Sequence, residues 1–348
     1  MPTHPPQNRP PTPSLDVGIA GAGLLGRLLA WRLALAGHRV SVFDPAADAQ
    51  QRGAAGWTAA GMLSPLAELE CADARTAQRG WRSLDLWAQW LPALPQPVDF
   101  RRDGSLLLAH RSDAGSAQRL LQVLQSKAAE PPPQPLDATA LQALEPAVHG
   151  PALAWLLPGE GQLHTVQAMQ ALAAGADAHG VRWHWGHAVQ TLAPGRIDGQ
   201  RFDHVFDVRG LGARSDLPLR GVRGEVLWLH APGLPLRRAL RLLHPRWRVY
   251  LVPRPGDIVF VGATEIESED RSPISVRSTL GLLSAAHSVL PDLAEARIVH
   301  TETNLRPALP DNLPRIDVRR GLTRINGLFR HGWLLAPALV EQALEDMT

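Results

Sequence analysis

The hexapeptide Gly21-Ala22-Gly23-Leu24-Leu25-Gly26 constrains the fold more than any other feature of the chain. It follows Leu15 to Ala20, an apolar run of strand length, and opens Leu24 to Ala36, where apolar residues recur on a helical period. A second short apolar run, Arg39 to Phe43, completes a strand, helix and strand unit. In this setting the three glycines have separate uses. One permits a tight turn, one lets backbone approach a pyrophosphate, and one packs the helix close on the strand, while helix-terminal N–H groups receive the anion. Asp44 ends the second strand, where a carboxylate accepts hydrogen bonds from ribose hydroxyls and repels a 2′-phosphate. The pattern predicts a dinucleotide site. It does not separate NAD from FAD, which share an ADP half.

The 348 residues allow about two domains, at roughly 100 to 200 residues each. A hydrophobic content of 45% with 20% charged residues excludes a disordered chain. Lys plus Arg (35) nearly balance Asp plus Glu (33), so no bulk charge draws the chain to nucleic acid. The single cysteine, Cys71, forms no internal disulfide, which fits a reducing, cytoplasmic setting. Leu24 to Leu35 is broken by Arg27 and Arg32, and it is far shorter than the ~20 residues of a membrane span. Met1 to Ser14 is proline-rich without the apolar run of a secretory signal, and is expected to be a flexible tail. Length and charge leave a homo-oligomer open.

Further along, Arg248 to Pro253 and Asp257 to Gly262 flank Arg254-Pro255-Gly256 and predict a hairpin, so antiparallel sheet follows the parallel start. Leu120 to Ala129 and Val166 to His179 are expected helices. The fold class is therefore α/β, a Rossmann-like unit joined to a mostly antiparallel sheet. Trp183, His184, Trp185 and His187 put two histidines on one strand face, but no acid or third ligand completes a metal site, and none is expected. The arginine-rich stretch Arg237 to Arg248, with its leucines and Trp247, fits a folded element with a solvated face.

Just past Asp44, the small-residue run Arg52 to Pro65 ends in Ala59-Ala60-Gly61-Met62-Leu63. With Tyr250 to Arg254, Gly262-Ala263-Thr264, Leu305-Arg306-Pro307, Pro310 to Pro314 and Arg330 to Pro337, it resembles the FAD-dependent amino-acid oxidases of the D-amino-acid oxidase superfamily. Within them the chain is most similar to the glycine oxidases of thiamine biosynthesis. The blocks run in the family's order from about residue 15 to 345. The resemblance implies an FAD-binding domain at 15–80, 146–215 and 297–348, interleaved with a substrate domain at 81–145 and 216–296. It implies hydride transfer from the α-carbon of glycine or another small amino acid to the flavin, giving an imine for thiazole synthesis, with O2 as acceptor and peroxide as product. No general base is demanded if the amine is already neutral, which suits a sequence with no visible Ser, His and Asp constellation.

The same resemblance nominates residues. Arg306 stands where the family's carboxylate-binding arginine falls, because a planar guanidinium meets both oxygens at once. Tyr250, the only tyrosine, matches the active-site tyrosine, and Arg330 a second substrate-site arginine. Gly21, Gly23, Leu24, Leu25, Gly26 and Asp44 are expected at the ADP half, and Ala60, Gly61 and Met62 against the flavin. Val189 aligns with a position whose backbone meets the adenine, and Gly210 lies in a Gly-rich stretch closing over the cofactor. Phe329, His331, Gly332, Trp333 and Leu334 would bring N–H groups at a helix start to the flavin's pyrimidine edge, where negative charge builds on reduction.

Plainer readings stand beside these. Arg306 is also explained as a surface arginine held by proline-rich turns, Tyr250 and Val189 as buried strand residues, and His331 as a histidine bonding only backbone. The chain also departs from the family pattern: Glu265 replaces an apolar residue, Gly327-Leu328 replaces Gly-His, and Gly56-Trp57 replaces Ser-Trp. Glu265 leaves substrate identity open. Alternatives are a flavin dehydrogenase that uses a quinone or other acceptor, a flavin-binding partner without turnover, and a nicotinamide dehydrogenase resting on Gly21 to Gly26 alone.

Overall fold

The computed structural model describes residues 13–69, 73–127, 130–243 and 248–347. Most of the expected tail, Cys71 and Trp247 lie outside the described residues. The first strand, Asp16–Ala20, pairs in parallel with both Arg39–Asp44 and His204–Asp207. Leu322–Asn326 and Arg182–Trp185 extend this sheet in parallel on either side, and Arg315–Arg319 adds one antiparallel edge, making six strands. Val17, Ile19, Val40, Val42 and Phe43 are all buried, as near-continuous apolar runs must be when both faces of a parallel sheet are covered. Helix Leu24–Leu35 packs beside Thr165–Ala178 and Gly332–Glu345 and shares one core with them.

The second layer is an eight-stranded sheet, antiparallel except where Ala239–Leu243 meets Ser105–Ala109. The expected hairpin is present as Arg248–Arg254 and Ile258–Gly262. Strand alternation sorts its side chains. Val249 and Leu251 turn into a core with Leu282 and Ala286 of helix Val276–His287, whereas Tyr250 and Val252 group on the other face with Val226, Phe260, Ala60 and Met62. The helix expected at Val166 to His179 runs Thr165–Ala178. The one expected at Leu120 to Ala129 starts earlier, at Ala114, because its first turn carries too little apolar character to show the period.

The interleaved architecture is present, but two strands sit differently from the expected boundaries. Leu153–Leu157 and Arg297–Ala308, grouped by sequence with the cofactor half, both belong to the eight-stranded sheet. Helix Ala74–Trp90 crosses the boundary drawn at residue 80, yet buries Leu84, Trp87 and Trp90 in the core of the parallel layer. The chain passes between layers within single loops, and no change of composition marks those crossings. Among the described residues, no helix is long and apolar enough to cross a membrane.

Candidate active site

The glycine turn has the geometry its chemistry requires. Gly21 adopts φ of 105°, its N–H donates to the Phe43 carbonyl at 2.8 Å, and a Cβ there would lie 2.7 Å from the Val208 carbonyl oxygen. A Cβ at Gly26 would sit 1.8 Å from the Gly21 oxygen, so this glycine sets the distance between helix and turn. Gly23 is different: the nearest atom to its Cβ position is the Ala54 Cβ at 3.5 Å. It caps helix Leu24–Leu35 with no side chain to satisfy the first N–H groups, which leaves them for an anion. Asp44 accepts from the Ala22 N–H at 2.6 Å and the Ala46 N–H at 2.9 Å. A carboxylate has about four lone-pair positions, so capacity remains for ribose hydroxyls.

From this turn a cavity of about 830 Å³ reaches across to the face of the antiparallel sheet that carries Tyr250. Its size lies within the roughly 300 to 1,000 Å³ of cofactor sites. Every residue nominated from sequence lines it except Gly26, which acts from behind. Val189 lies in the loop after strand Arg182–Trp185, half-buried at the cavity wall, and so is not the buried strand residue of the plainer reading. Gly210, at φ of 54°, opens a short turn whose carbonyl accepts from the Asn326 side chain at 3.0 Å. Gly61 combines φ of 82° with a Cβ position 2.0 Å from the Leu163 oxygen. Its backbone is thereby forced close to the wall. An open helix start, a glycine cradle and a cavity joining both layers are what FAD requires, and these residues fit it.

Two buried arginines that the sequence reading did not nominate hold this wall. Arg27 donates to the carbonyls of Ala22, Ala49 and Met169, and burial lowers its guanidinium to about 10. Arg254 donates to the carbonyls of Ala59 and Ala60, and burial lowers it to about 9. The visible signal was a charge interrupting an apolar run, as Arg27 does.

At the other end, Tyr250 is half-buried. Burial raises its phenol, partly offset by a hydrogen bond with Arg306. Arg306, on strand Arg297–Ala308, donates through Nη1 to the carbonyls of Thr264 at 3.0 Å and Arg223 at 3.3 Å. Among the described residues it makes no ion pair. Arg330 differs: it meets Glu68 at 2.7 Å and Glu265 at 3.7 Å, so its charge is answered within the protein. Glu265, the departure from the family pattern, is exposed at the cavity wall. The structure therefore separates the two nominated arginines: Arg330 is paired with carboxylates, whereas Arg306 lines the cavity and meets backbone carbonyls.

His331 does not bond backbone alone. Its Nδ1 stands 3.1 Å from a Glu68 oxygen, without the alignment of a strong hydrogen bond. Burial pushes the Glu68 carboxyl up, but His331, Arg330 and Arg241 together outweigh it and hold the group well below the usual carboxylate range. Arg241, opposite Tyr250 on the neighbouring strand, also donates to the Ala67 carbonyl at 2.7 Å. Sequence reasoning missed Glu68 and Arg241. The latter lay within a stretch read as having a solvated face. His187 does meet an acid, Asp198, at 2.8 Å, and both histidines pack on Phe43, His184 stacked and His187 edge-on.

Beneath this end, fully buried Glu160 accepts from Leu66 N–H at 2.8 Å, Ala67 N–H at 3.1 Å and the Ser105 hydroxyl at 2.6 Å. Burial exceeds these bonds and raises its carboxyl from 4.5 to about 7. A raised folded value means stability that is present below the unfolded value and lost as pH climbs through the folded one. The loss is roughly 3 kcal/mol at about 1.4 kcal/mol per unit. Glu160→Gln, which keeps an acceptor for the helix N–H groups, is expected to flatten the difference in urea stability between pH 5 and pH 8. An equal pH dependence in both proteins contradicts this.

The model of the FAD dependent oxidoreductase family matches residues 16–343. The putative thiamine biosynthesis oxidoreductase ThiO of Rhizobium etli is 38% identical over 325 residues, covering 92% of this chain and 93% of that protein. The glycine oxidase of Geobacillus kaustophilus is 27% identical over 356 residues, covering 92% and 90%. The crystal structure of glycine oxidase from the same organism superposes with a TM-score of 0.83 at 26% identity, over 97% of this chain and 95% of that one. The matched span takes in both the glycine cradle and the strands that carry Tyr250 and Arg306, so the whole two-layer chain, not its dinucleotide unit alone, belongs to the FAD dependent oxidoreductase family.

Proposed function

We propose that the chain oxidises glycine or another small amino acid, with the substrate carboxylate on Arg306. The observation that carries this is a cavity with a dinucleotide cradle at one end and, at the other, a guanidinium whose described contacts are a phenol and backbone carbonyls. A half-buried guanidinium without an ion pair keeps donors for both oxygens of a carboxylate. Bound FAD would supply the two-electron acceptor for a hydride from the α-carbon, with O2 taking the electrons on to peroxide. The imine product hydrolyses or serves thiazole synthesis, a role supported by the ThiO relative. The protein's part is to hold the carboxylate on Arg306 and Tyr250, keep water from the reacting carbon with the apolar wall of Ala60, Met62 and Ala263, and present the helix start at Gly332. We place this activity in the cytoplasm.

Purified protein is expected to be yellow, with the flavin band near 450 nm, and to release peroxide with glycine or another small amino acid. A colourless protein contradicts the cofactor site. A yellow protein that no small amino acid bleaches without oxygen contradicts the substrate assignment, and dye reduction without oxygen consumption replaces the oxidase by a dehydrogenase.

A further inference from the structure

An amino acid in neutral water carries an ammonium group, yet its α-carbon can give up hydride only when a nitrogen lone pair is free to form the C=N bond. Some group must take that proton. Arg306, which has no carboxylate partner among the described residues, opposes a further cation beside it in the cavity. The cavity's candidate acceptors differ sharply. Glu68 is held ionised and shares one oxygen between Arg330 and His331, which makes it a weak base. The Tyr250 phenol is pushed up and stays protonated. Glu265 is an exposed carboxylate beside Arg330.

His331 remains, and the fold has placed it. It is 5% exposed, lines the cavity, and turns Nδ1 to the Glu68 oxygen at 3.1 Å. Gly80 lets the two short stretches that carry them pack closely: a Cβ there would lie 3.0 Å from the Leu334 side chain, in helix Gly332–Glu345, and 3.1 Å from that of Pro65, which opens helix Pro65–Glu68. The negative charge of Glu68 3.1 Å from Nδ1 favours the proton on that side of the ring and the lone pair on Nε2, the edge opposite Glu68.

Building on the proposed amino-acid oxidation, we propose that His331, oriented by Glu68, accepts the proton of the substrate ammonium group. The N–H bond breaks, its electron pair stays on nitrogen, and the proton passes to Nε2. No electrons change hands in this step. The imidazolium formed faces the Glu68 carboxylate, which stabilises it, and the proton leaves to water before the next turnover. Glu68, Arg330, Arg241, Tyr250, Arg306 and Glu265 are the charged or titratable groups around this end of the cavity, and Glu68 is the one in contact with the ring.

His331→Asn in the flavin-loaded enzyme is expected to lower kcat/KM for glycine on the order of 10²-fold at pH 7, the usual contribution of a positioned base. Its kcat/KM should then keep rising tenfold per pH unit where the wild type levels off. N-(2,2,2-trifluoroethyl)glycine, whose amine is already neutral at pH 7, is expected to react equally well with both proteins. Glycolate, a carboxylate without the amine, should perturb the absorbance of the bound flavin at the same concentrations in both, showing the anion site intact. Glu68→Gln is expected to give a smaller loss on glycine with the same rescue. Equal losses on glycine and the fluorinated substrate, or an unchanged pH profile in both variants, overturn the assignment. A wild type inactive with every amino acid overturns the underlying reading as well, so the two failures are distinguishable.

Discussion

Gly224→Ala is expected to raise KM for an amino-acid substrate about 10- to 100-fold while leaving the fold and the bound flavin in place. Gly224 lies on strand Arg220–His230, and the Arg306 guanidinium crosses directly over it. A Cβ there would stand 2.5 Å from Nη2, 2.6 Å from Cζ and 2.7 Å from Nη1. All three atoms belong to the free end of a flexible side chain, so the guanidinium moves and the backbone does not. The strand stays paired to Ile258–Gly262 on one side and Arg297–Ala308 on the other.

What is lost is position. The Thr264 and Arg223 carbonyls that hold Arg306 are themselves fixed by buried Glu225, which accepts from the Thr264 hydroxyl at 3.1 Å and from Arg223 at 2.6 Å. A displaced guanidinium leaves that bracket and the carboxylate together. A hydrogen bond to a charged group contributes about 1.5 to 3 kcal/mol, and each 1.4 kcal/mol is tenfold in affinity. Steady-state kinetics beside a thermal melt and a flavin spectrum check this. A folded, yellow variant with unchanged KM removes Arg306 from the substrate site.

Gly224 also shows where the sequence stops being informative. In Arg223-Gly224-Glu225 it is one more glycine in a glycine-rich chain, and nothing local ties it to an arginine 82 positions later. The cradle at Gly21 to Gly26 was legible because its chemistry is local: turn, helix start and acid lie within one unit of 24 residues, counting 21 to 44. The hairpin around Pro255 was legible for the same reason. Arg306 could be placed first by resemblance, but the contacts that set Arg330 apart from it were not legible, since they depend on Glu68 and Glu265 meeting Arg330 in space. The pairing of Glu68 with His331 was invisible for the same reason. The layer of a strand was not legible for another reason: a strand such as Arg297–Ala308 carries the same alternation in either sheet, and only its pairing with Arg220–His230 decides its layer.

The largest effect is expected at the cradle, where two alanine substitutions three residues apart should both weaken flavin binding severely for different reasons. In Gly23→Ala the new methyl meets only the Ala54 Cβ at 3.5 Å, ordinary contact, so the apoprotein should melt within a few degrees of wild type. The methyl would instead stand at the uncapped N–H groups of helix Leu24–Leu35, where the pyrophosphate of a bound dinucleotide would approach. Losing two charge-assisted bonds of about 1.5 to 3 kcal/mol each lowers affinity by about 10² to 10⁴. In Gly26→Ala the Cβ lies 1.8 Å from a backbone oxygen, which no rotamer relieves. Helix and turn must separate, and overpacking of this kind costs about 1 to 3 kcal/mol or more. That variant should therefore lose flavin and melt early. Absorbance near 450 nm after desalting, titration of apoprotein with FAD, and the melting temperature of each apoprotein distinguish the cases. A Gly23→Ala protein that retains wild-type affinity for FAD shows that the pyrophosphate does not rest on this turn.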